Sequence, residues 1–213
     1  TNAGILRDRV LWNMSDEEFD LVTQTHLRGS FTCARAAVRQ MRAQGHGGRV
    51  VLLSSISGQR GKFGQGNYAA AKAGIAAMAR TWATECARAN ITVNAIVPVA
   101  MTQMVATIPA LMPFAEAMER GEPLPASLRH GLGLGTPDDV APLLVFLASS
   151  QAAHITGQCI GIGGDKLSLW SQPSEVRVAY REGGWDAASI AAGWAQGVGQ
   201  QLEPFGDEIT LPG

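Results

Sequence analysis

Two short apolar runs, 49–54 and 91–97, flank a long alanine-rich stretch, 67–89, and this alternation constrains the fold more than any other feature of the chain. The run Val50-Val51-Leu52-Leu53 shows no polar alternation, which suits a strand covered on both faces. Within 67–89 Gly74 is the only glycine, so the stretch reads as a long helix whose small side chains permit close packing. Pro98 stops the second run. A third run, 155–162, follows a helix start at Thr136-Pro137-Asp138-Asp139, where a cap, a first-turn proline and two acids meet the positive end of the helix dipole. Strand, helix, strand, helix, strand predicts βαβ units, and hence an α/β fold on a parallel sheet.

Upstream, Ser15-Asp16-Glu17-Glu18 forms a capping box, and a helix is expected from there to about Arg42, ended by Gly45-His46-Gly47-Gly48. Thr1 to Ile5 reads as the end of a strand followed by a glycine turn. Gly58, Gly61, Gly64 and Gly66 punctuate an expected loop. Residues 101–135 are irregular and rich in Met, Pro and Ala, and the tail holds Trp170, Trp185 and Trp194 with one expected helix over 186–200. The organisation expected is one domain over 1–164 with a C-terminal extension, 165–213, packed on it.

Composition narrows the possible partners. With 213 residues, 46% of them hydrophobic, the chain can bury one real core. A net charge of -1 argues against a nucleic-acid or acidic-lipid partner, and no apolar run is long enough to span a bilayer. Cys33, Cys86 and Cys159 lie far apart and match no disulfide or metal pattern, so no metal is expected and a reducing, cytoplasmic compartment is the default.

The chemistry centres on Tyr68 and Lys72, which lie four apart in the predicted helix and so share a face. A free phenol, with a pKa of about 10, is a poor base at neutral pH. An ammonium one turn away is expected to favour the phenolate and lower that value, letting Tyr68 give or take the proton of a carbonyl/alcohol pair. Alone, such a pair also fits a half-buried tyrosine beside a surface lysine. Ser55 adds weight. It ends the 49–54 run at the carboxyl end of a strand, where α/β sheets place ligands, and precedes Tyr68 by 13 residues across the glycine-rich loop. A hydroxyl there can hydrogen-bond a substrate carbonyl oxygen; on sequence grounds Ser54 or Ser57 would look as good.

Taken in order, Asn2-Ala3-Gly4, Ser55, Tyr68, Lys72, Asn94, Pro98 and Thr102 resemble the motifs of the short-chain dehydrogenases/reductases from Asn2 to about Gly164. The resemblance implies a Rossmann-like doubly wound parallel sheet and NAD or NADP as cofactor. It makes Tyr68 the general acid/base, Lys72 also the holder of the nicotinamide ribose, and Ser55 the group orienting the substrate carbonyl. It places Asn2, Ala3, Gly4, Pro98 and Thr102 beside the cofactor. His26 stands where most members carry Asn, in the catalytic role of holding a proton-relay water; a helix histidine satisfied by neighbouring backbone is the other reading.

Within the family, Asn2-Ala3-Gly4-Ile5-Leu6-Arg7-Asp8-Arg9, His26-Leu27-Arg28-Gly29-Ser30-Phe31 and Gly193-Trp194 resemble the (3R)-hydroxyacyl-CoA dehydrogenase part of the type 2 peroxisomal multifunctional enzymes and their bacterial stand-alone relatives. This implies an acyl thioester as small-molecule substrate, a place in fatty acid metabolism, and 101–135 as an apolar substrate lid. It also implies a homodimer or homotetramer built on the two long helices, with Gly74, Ala76 and Ala77 allowing close approach. Val99 departs from the family's usual glycine, and 101–135 is longer than the resemblance leads one to expect.

The family's first strand and its glycine-rich TGxxxGxG turn would lie upstream, so an N-terminally truncated fold is expected, with any targeting signal left open. Gly161-Ile162-Gly163-Gly164 follows the last expected strand instead of preceding a helix, and reads as a turn. Three alternatives to a 3-hydroxyacyl thioester oxidoreductase stay open: a non-catalytic truncated fragment, a 3-oxoacyl-carrier-protein reductase and a steroid dehydrogenase.

Overall fold

Ser15 and Glu18 close their capping box, the serine hydroxyl accepting from the Glu18 N–H while the Glu18 carboxylate takes the Ser15 N–H. The computed structural model, which describes residues 1–206, carries helical backbone onward in three pieces: α1 (Asp16–Thr23), a π-helical turn (Gln24–Arg28) and α2 (Gly29–Gln44). In the π turn the Gly29 N–H reaches back five residues to the Gln24 carbonyl. Gly45 ends α2 at φ 78°, a left-handed conformation that glycine adopts without a side-chain penalty.

The sheet has the order β1 (Gly48–Leu53), β2 (Ile91–Pro98), β3 (Cys159–Gly163), β4 (Lys166–Leu169). The first three strands are parallel, and β4 turns back antiparallel on β3. On one face α4 (Gly66–Cys86) buries Ala76, Ala79, Ala83 and Ile75 against Leu52, Val93 and Ala95. The alanines let the helix lie close to the strands. On the other face α6 (Pro137–Ala148) buries Val140, Leu143 and Leu147 around Ile96. β2 is therefore covered twice, and every residue from Ile91 to Val97 is buried, the polar Thr92 and Asn94 included.

The expected strand over 155–162 begins only at Cys159. Asn94, fully buried in β2, captures the preceding backbone: its amide donates to the Ile155 carbonyl (2.8 Å) and its carbonyl accepts from the Gln158 N–H (3.0 Å). The 161–164 glycines are not simply a turn. Gly161 and Gly163 belong to β3, where a Cβ on Gly163 would strike the Val99 carbonyl, and only Gly164 and Asp165 make the reversal. The loop expected at 56–66 contains a short helix, α3 (Ile56–Arg60), and residues 1–5 form no strand. Gly74 and Ala76 are used within the chain: a Cβ on Gly74 would lie 2.8 Å from Leu27, and Ala76 sits in the core, which leaves Ala77 as the exposed one of the three.

Residues 101–135 fold into short pieces including α5 (Met112–Glu119), with Pro109 and Pro113 at helix starts. Met101, Leu111, Leu124, Leu128 and Leu134 form a separate buried cluster there. Thr1–Trp170 makes one compact unit and Ser171–Phe205 a second, small one. The second unit holds α7 (Ala187–Gly193), shorter than the expected 186–200 helix, beside Trp185 and Trp194. The end of the expected extension, 207–213, lies outside the described residues. Among those described, no helix is long and apolar enough to cross a membrane.

Candidate active site

A cleft of about 750 Å³ opens at the carboxyl ends of β1 and β2. Ser55, Tyr68, Lys72 and His26 line it together with Asn2, Ala3, Gly4, Pro98 and Thr102, so all the residues singled out by sequence as site candidates meet in one place. Asn94 is elsewhere, beneath β3, in the structural role just described.

Three serines follow one another at the end of β1, and their partners separate them. The Ser54 hydroxyl donates to the Lys72 carbonyl (2.8 Å), and that of Ser57 to Gln65 Oε1 (2.8 Å). Ser55 caps α3 by accepting from the Ser57 N–H (3.3 Å), and its hydroxyl lies close enough to the Tyr68 phenol to favour the phenolate. Only Ser55 thus keeps company with the phenol inside the cleft.

Tyr68 does not behave as its spacing from Lys72 suggests. Burial pushes its phenol above the usual value of 10.0; the hydrogen bond with Ser55 opposes this, and the Asp8 charge adds to it. The Lys72 ammonium lies 5.5 Å from the Tyr68 ring centroid and donates instead to the Leu53 carbonyl (2.7 Å). The expectation of a lysine-lowered phenol is therefore corrected: the Tyr68 phenol is held in its neutral form at neutral pH, because desolvation of the phenolate outweighs the other influences on it.

Lys72 itself is buried, and desolvation holds it down to about 8 from 10.5. A cation whose folded-state pKa lies below its unfolded one binds fewer protons when folded, so unfolding free energy rises with pH through the window between the two values. Tyr68, shifted upward, acts with the opposite sign and only above about 10. Between pH 8 and 10 the wild type is expected to gain up to about 2 kcal/mol relative to Lys72→Met. Parallel denaturant midpoints for the two proteins measure this; curves that keep a constant separation would mean the ammonium is solvated as in water.

His26 sits on the π turn, its ring edge-on to Tyr68 with centroids 5.0 Å apart. Its Nε2 lies 3.1 Å from the Ile5 N–H and 2.8 Å from the Ile5 carbonyl, while Nδ1 is buried without a protein partner. Burial lowers its pKa, which keeps the ring neutral. A Cβ on Gly4 would fall 2.8 Å from His26 Cε1, so the chain passes over this ring only because residue 4 is glycine.

Sequence reasoning does not reach the groups behind the cleft. Asn67, fully buried, accepts from the Tyr68 N–H (2.7 Å) and donates to the carbonyls of Arg7 (2.9 Å) and Glu18 (3.2 Å), fixing the start of α4 to segments far away in sequence. Gln65 donates to Asp8 (2.8 Å) and accepts from Ser57. Arg129 holds Asp139 of α6 through two bonds (3.0 and 3.1 Å) and Asp165 of the β3–β4 turn through two more (2.8 and 3.0 Å). A position just before the tyrosine marks Asn67 for attention; nothing in the sequence pairs Arg129 with two carboxylates. Among the described residues no cluster of His, Cys, Asp or Glu could hold a metal ion.

A family model described as Enoyl-(Acyl carrier protein) reductase matches residues 1–164. The hydroxyacyl-CoA dehydrogenase ChsB1 of Mycobacterium tuberculosis is 40% identical over 199 residues, which covers 90% of this chain and 59% of that protein. The peroxisomal multifunctional enzyme type 2 of Mus musculus is 42% identical over 156 residues, 73% of this chain and 19% of that protein. A crystal structure of a short chain dehydrogenase from Mycobacterium avium superposes with a TM-score of 0.77 at 34% identity, covering 95% of this chain and 64% of that one. The chain thus spans about three fifths of the length of its two mycobacterial relatives. With the parallel sheet, the cleft at its carboxyl edge and these matches together, the chain belongs to the short-chain dehydrogenase/reductase family.

Proposed function

We propose that this chain supplies the proton-transfer site and acyl pocket of an oxidoreductase that interconverts 3-hydroxyacyl and 3-oxoacyl thioesters with NAD or NADP. The observation that carries the reading is the convergence of Ser55, Tyr68 and Lys72 on one largely apolar cleft. Tyr68, a neutral phenol, gives its proton to the substrate carbonyl oxygen in reduction and takes it back in oxidation. Ser55 donates to the same oxygen and stabilises the charge that grows there. Of the two ring nitrogens of His26, Nδ1 is the one left to hold a water on the proton path.

Family members use NAD(P)(H). The lining suits the nicotinamide end of such a molecule, with apolar and neutral polar groups around the Lys72 ammonium. Lys72 and the Tyr68 hydroxyl would hold the ribose hydroxyls, and Asn2, Ala3, Gly4, Pro98 and Thr102 would lie beside the ring. When bound, the cofactor supplies or accepts the hydride. Residues 101–135 serve as the lid, with Met104, Val105 and Ile108 facing the cleft.

The name of the mycobacterial relative supports a CoA thioester, and the description of the matching family model supports an acyl-carrier-protein thioester as the second reading. Steady-state kinetics of the full protein over a series of 3-hydroxyacyl-CoA chain lengths test the proposal. Medium acyl chains are expected to give the highest kcat/KM; short polar alcohols that match them would remove the acyl pocket. The three unpaired cysteines favour a reducing compartment such as the cytoplasm. A homodimer or homotetramer is proposed through the outer faces of α2 and α4, where Phe31 and Trp82 lie 6.4 Å apart; a monomer in light scattering would refute it.

A further inference from the structure

Among the described residues the cleft around Ser55 is lined by no carboxylate, yet Lys62 and Lys166 line it in addition to Lys72. The chain as a whole has 18 Asp and Glu against 17 Lys and Arg, so this excess of positive charge is local. Two carboxylates of this region are already engaged. Asp165, next to Lys166, accepts from Arg129 at 2.8 and 3.0 Å, and Asp8 accepts from Gln65 at 2.8 Å. Among the described residues neither lysine makes an ion pair.

Both lysines belong to the α3 side of the cleft. Lys62 follows the end of α3 across Gly61, and Lys166 borders a small void together with Ile56, the first residue of α3 and the neighbour of Ser55. The groups fitted to the cofactor come instead from residues 2–4, α4 and the end of β2. Lys62 is half-buried and Lys166 exposed, which suits a place toward the mouth of the cleft.

We propose that Lys62 and Lys166 form an anion subsite at the mouth of the cleft that binds the phosphate of the substrate's phosphopantetheine handle. This rests on the thioester reading above. With the acyl chain in the apolar part and its carbonyl at Ser55 and Tyr68, the neutral pantetheine arm leads outward, and its first charged group is a phosphate, within a diphosphate in CoA and a phosphodiester on a carrier protein. Two lysines, with no carboxylate among the described lining residues, give that group its counter-charge.

A dinucleotide also carries phosphates, so the test separates the two sources. Steady-state kinetics of the full protein compare wild type, Lys62→Met, Lys166→Met and the double variant on one 3-oxoacyl group carried either by CoA or by N-acetylcysteamine, which has no phosphate. The KM for the cofactor is measured alongside. For each single variant the CoA-thioester KM is expected to rise roughly three- to tenfold, with kcat unchanged and the N-acetylcysteamine values unmoved. Lys→Arg variants keep the low KM, and added salt raises the wild-type KM for the CoA thioester alone. Lys→Gln variants repeat the measurement should either Met variant prove insoluble. Equal losses on both thioesters would place the lysines against the acyl part and overturn the subsite. A rise confined to the cofactor KM would assign them to the dinucleotide and overturn it as well. If the wild type turns over neither thioester, the thioester reading itself falls, and the subsite falls with it.

Discussion

Replacing Tyr68 with phenylalanine is expected to lower kcat by about 10²–10⁴-fold, the usual worth of a positioned acid/base, with cofactor affinity changed by no more than a few fold. The variant keeps everything except the hydroxyl. The ring still packs edge-on against His26 and still faces the Lys72 ammonium. What disappears is the phenolic hydroxyl and its interaction with Ser55. Because burial pushes the phenol up, wild-type carbonyl reduction should stay flat through neutral pH and fall only on the alkaline side as the proton is lost; the Phe variant should lack that fall. Rates near wild type, or an unchanged alkaline limb, would take the proton-transfer role away from Tyr68.

A second large loss is expected far from any reacting atom. Gly58 lies where α3 crosses α4, and a Cβ there would meet the Ala73 nitrogen at 2.6 Å, the Lys72 carbonyl carbon at 2.6 Å and Lys72 Cβ at 2.8 Å. The first two are helix backbone and cannot swing aside. Gly58→Ala must therefore push α3 off α4, at a cost of about 1–3 kcal/mol for overpacking. The same displacement carries Ser55, the cap of α3, away from Tyr68 and Lys72 on α4. A misplacement of about 1 Å can cost roughly 10²-fold in rate, so kcat should fall well beyond what the loss of stability explains. Gly66→Ala is the control: it also adds a methyl to a helix glycine of this region, but into open space, and should be neutral or slightly stabilising. Denaturant midpoints and kcat for both variants decide the matter. A normal kcat in the Gly58→Ala enzyme would mean α3 and α4 can separate without disturbing the site.

The parts of the site that can be read from sequence are those set by local spacing. Tyr68 and Lys72 share a helix face four residues apart, and Ser55 ends a strand recognisable from its apolar run. What cannot be read depends on depth and on distant partners. The direction of the Tyr68 shift follows from how completely the phenol is buried, which spacing does not reveal. The start of β3 is hidden because Asn94, sixty-odd residues away in sequence, satisfies the backbone of 155–158 from the side. β4 leaves no clear signal because Lys166-Leu167-Ser168-Leu169 is short and mostly exposed, and the glycines beside it lie in the strand it pairs with. Asn67 and Arg129 act through carbonyls and carboxylates brought together only by the folded chain.

The π turn at 24–28 has a consequence for how this helix tolerates length changes. Five-residue hydrogen bonding accommodates one residue more than a regular α-helix would at that place, as though an extra residue had been threaded between α1 and α2. Removing one residue, Thr25 for example, would let α1 and α2 join in a single regular α-helix, a gain in hydrogen-bond geometry. The five residues of the turn wind through roughly the angle that four cover in an α-helix, so α1 and α2 would keep their phases and Ala34 would stay in the core. Only the residues of the turn itself would shift, and the imidazole of His26, which lies in it, would leave Ile5. The irregular turn is what sets His26 against Ile5 while the flanking helices keep their places, so a deletion here should disturb the cleft and leave the core intact.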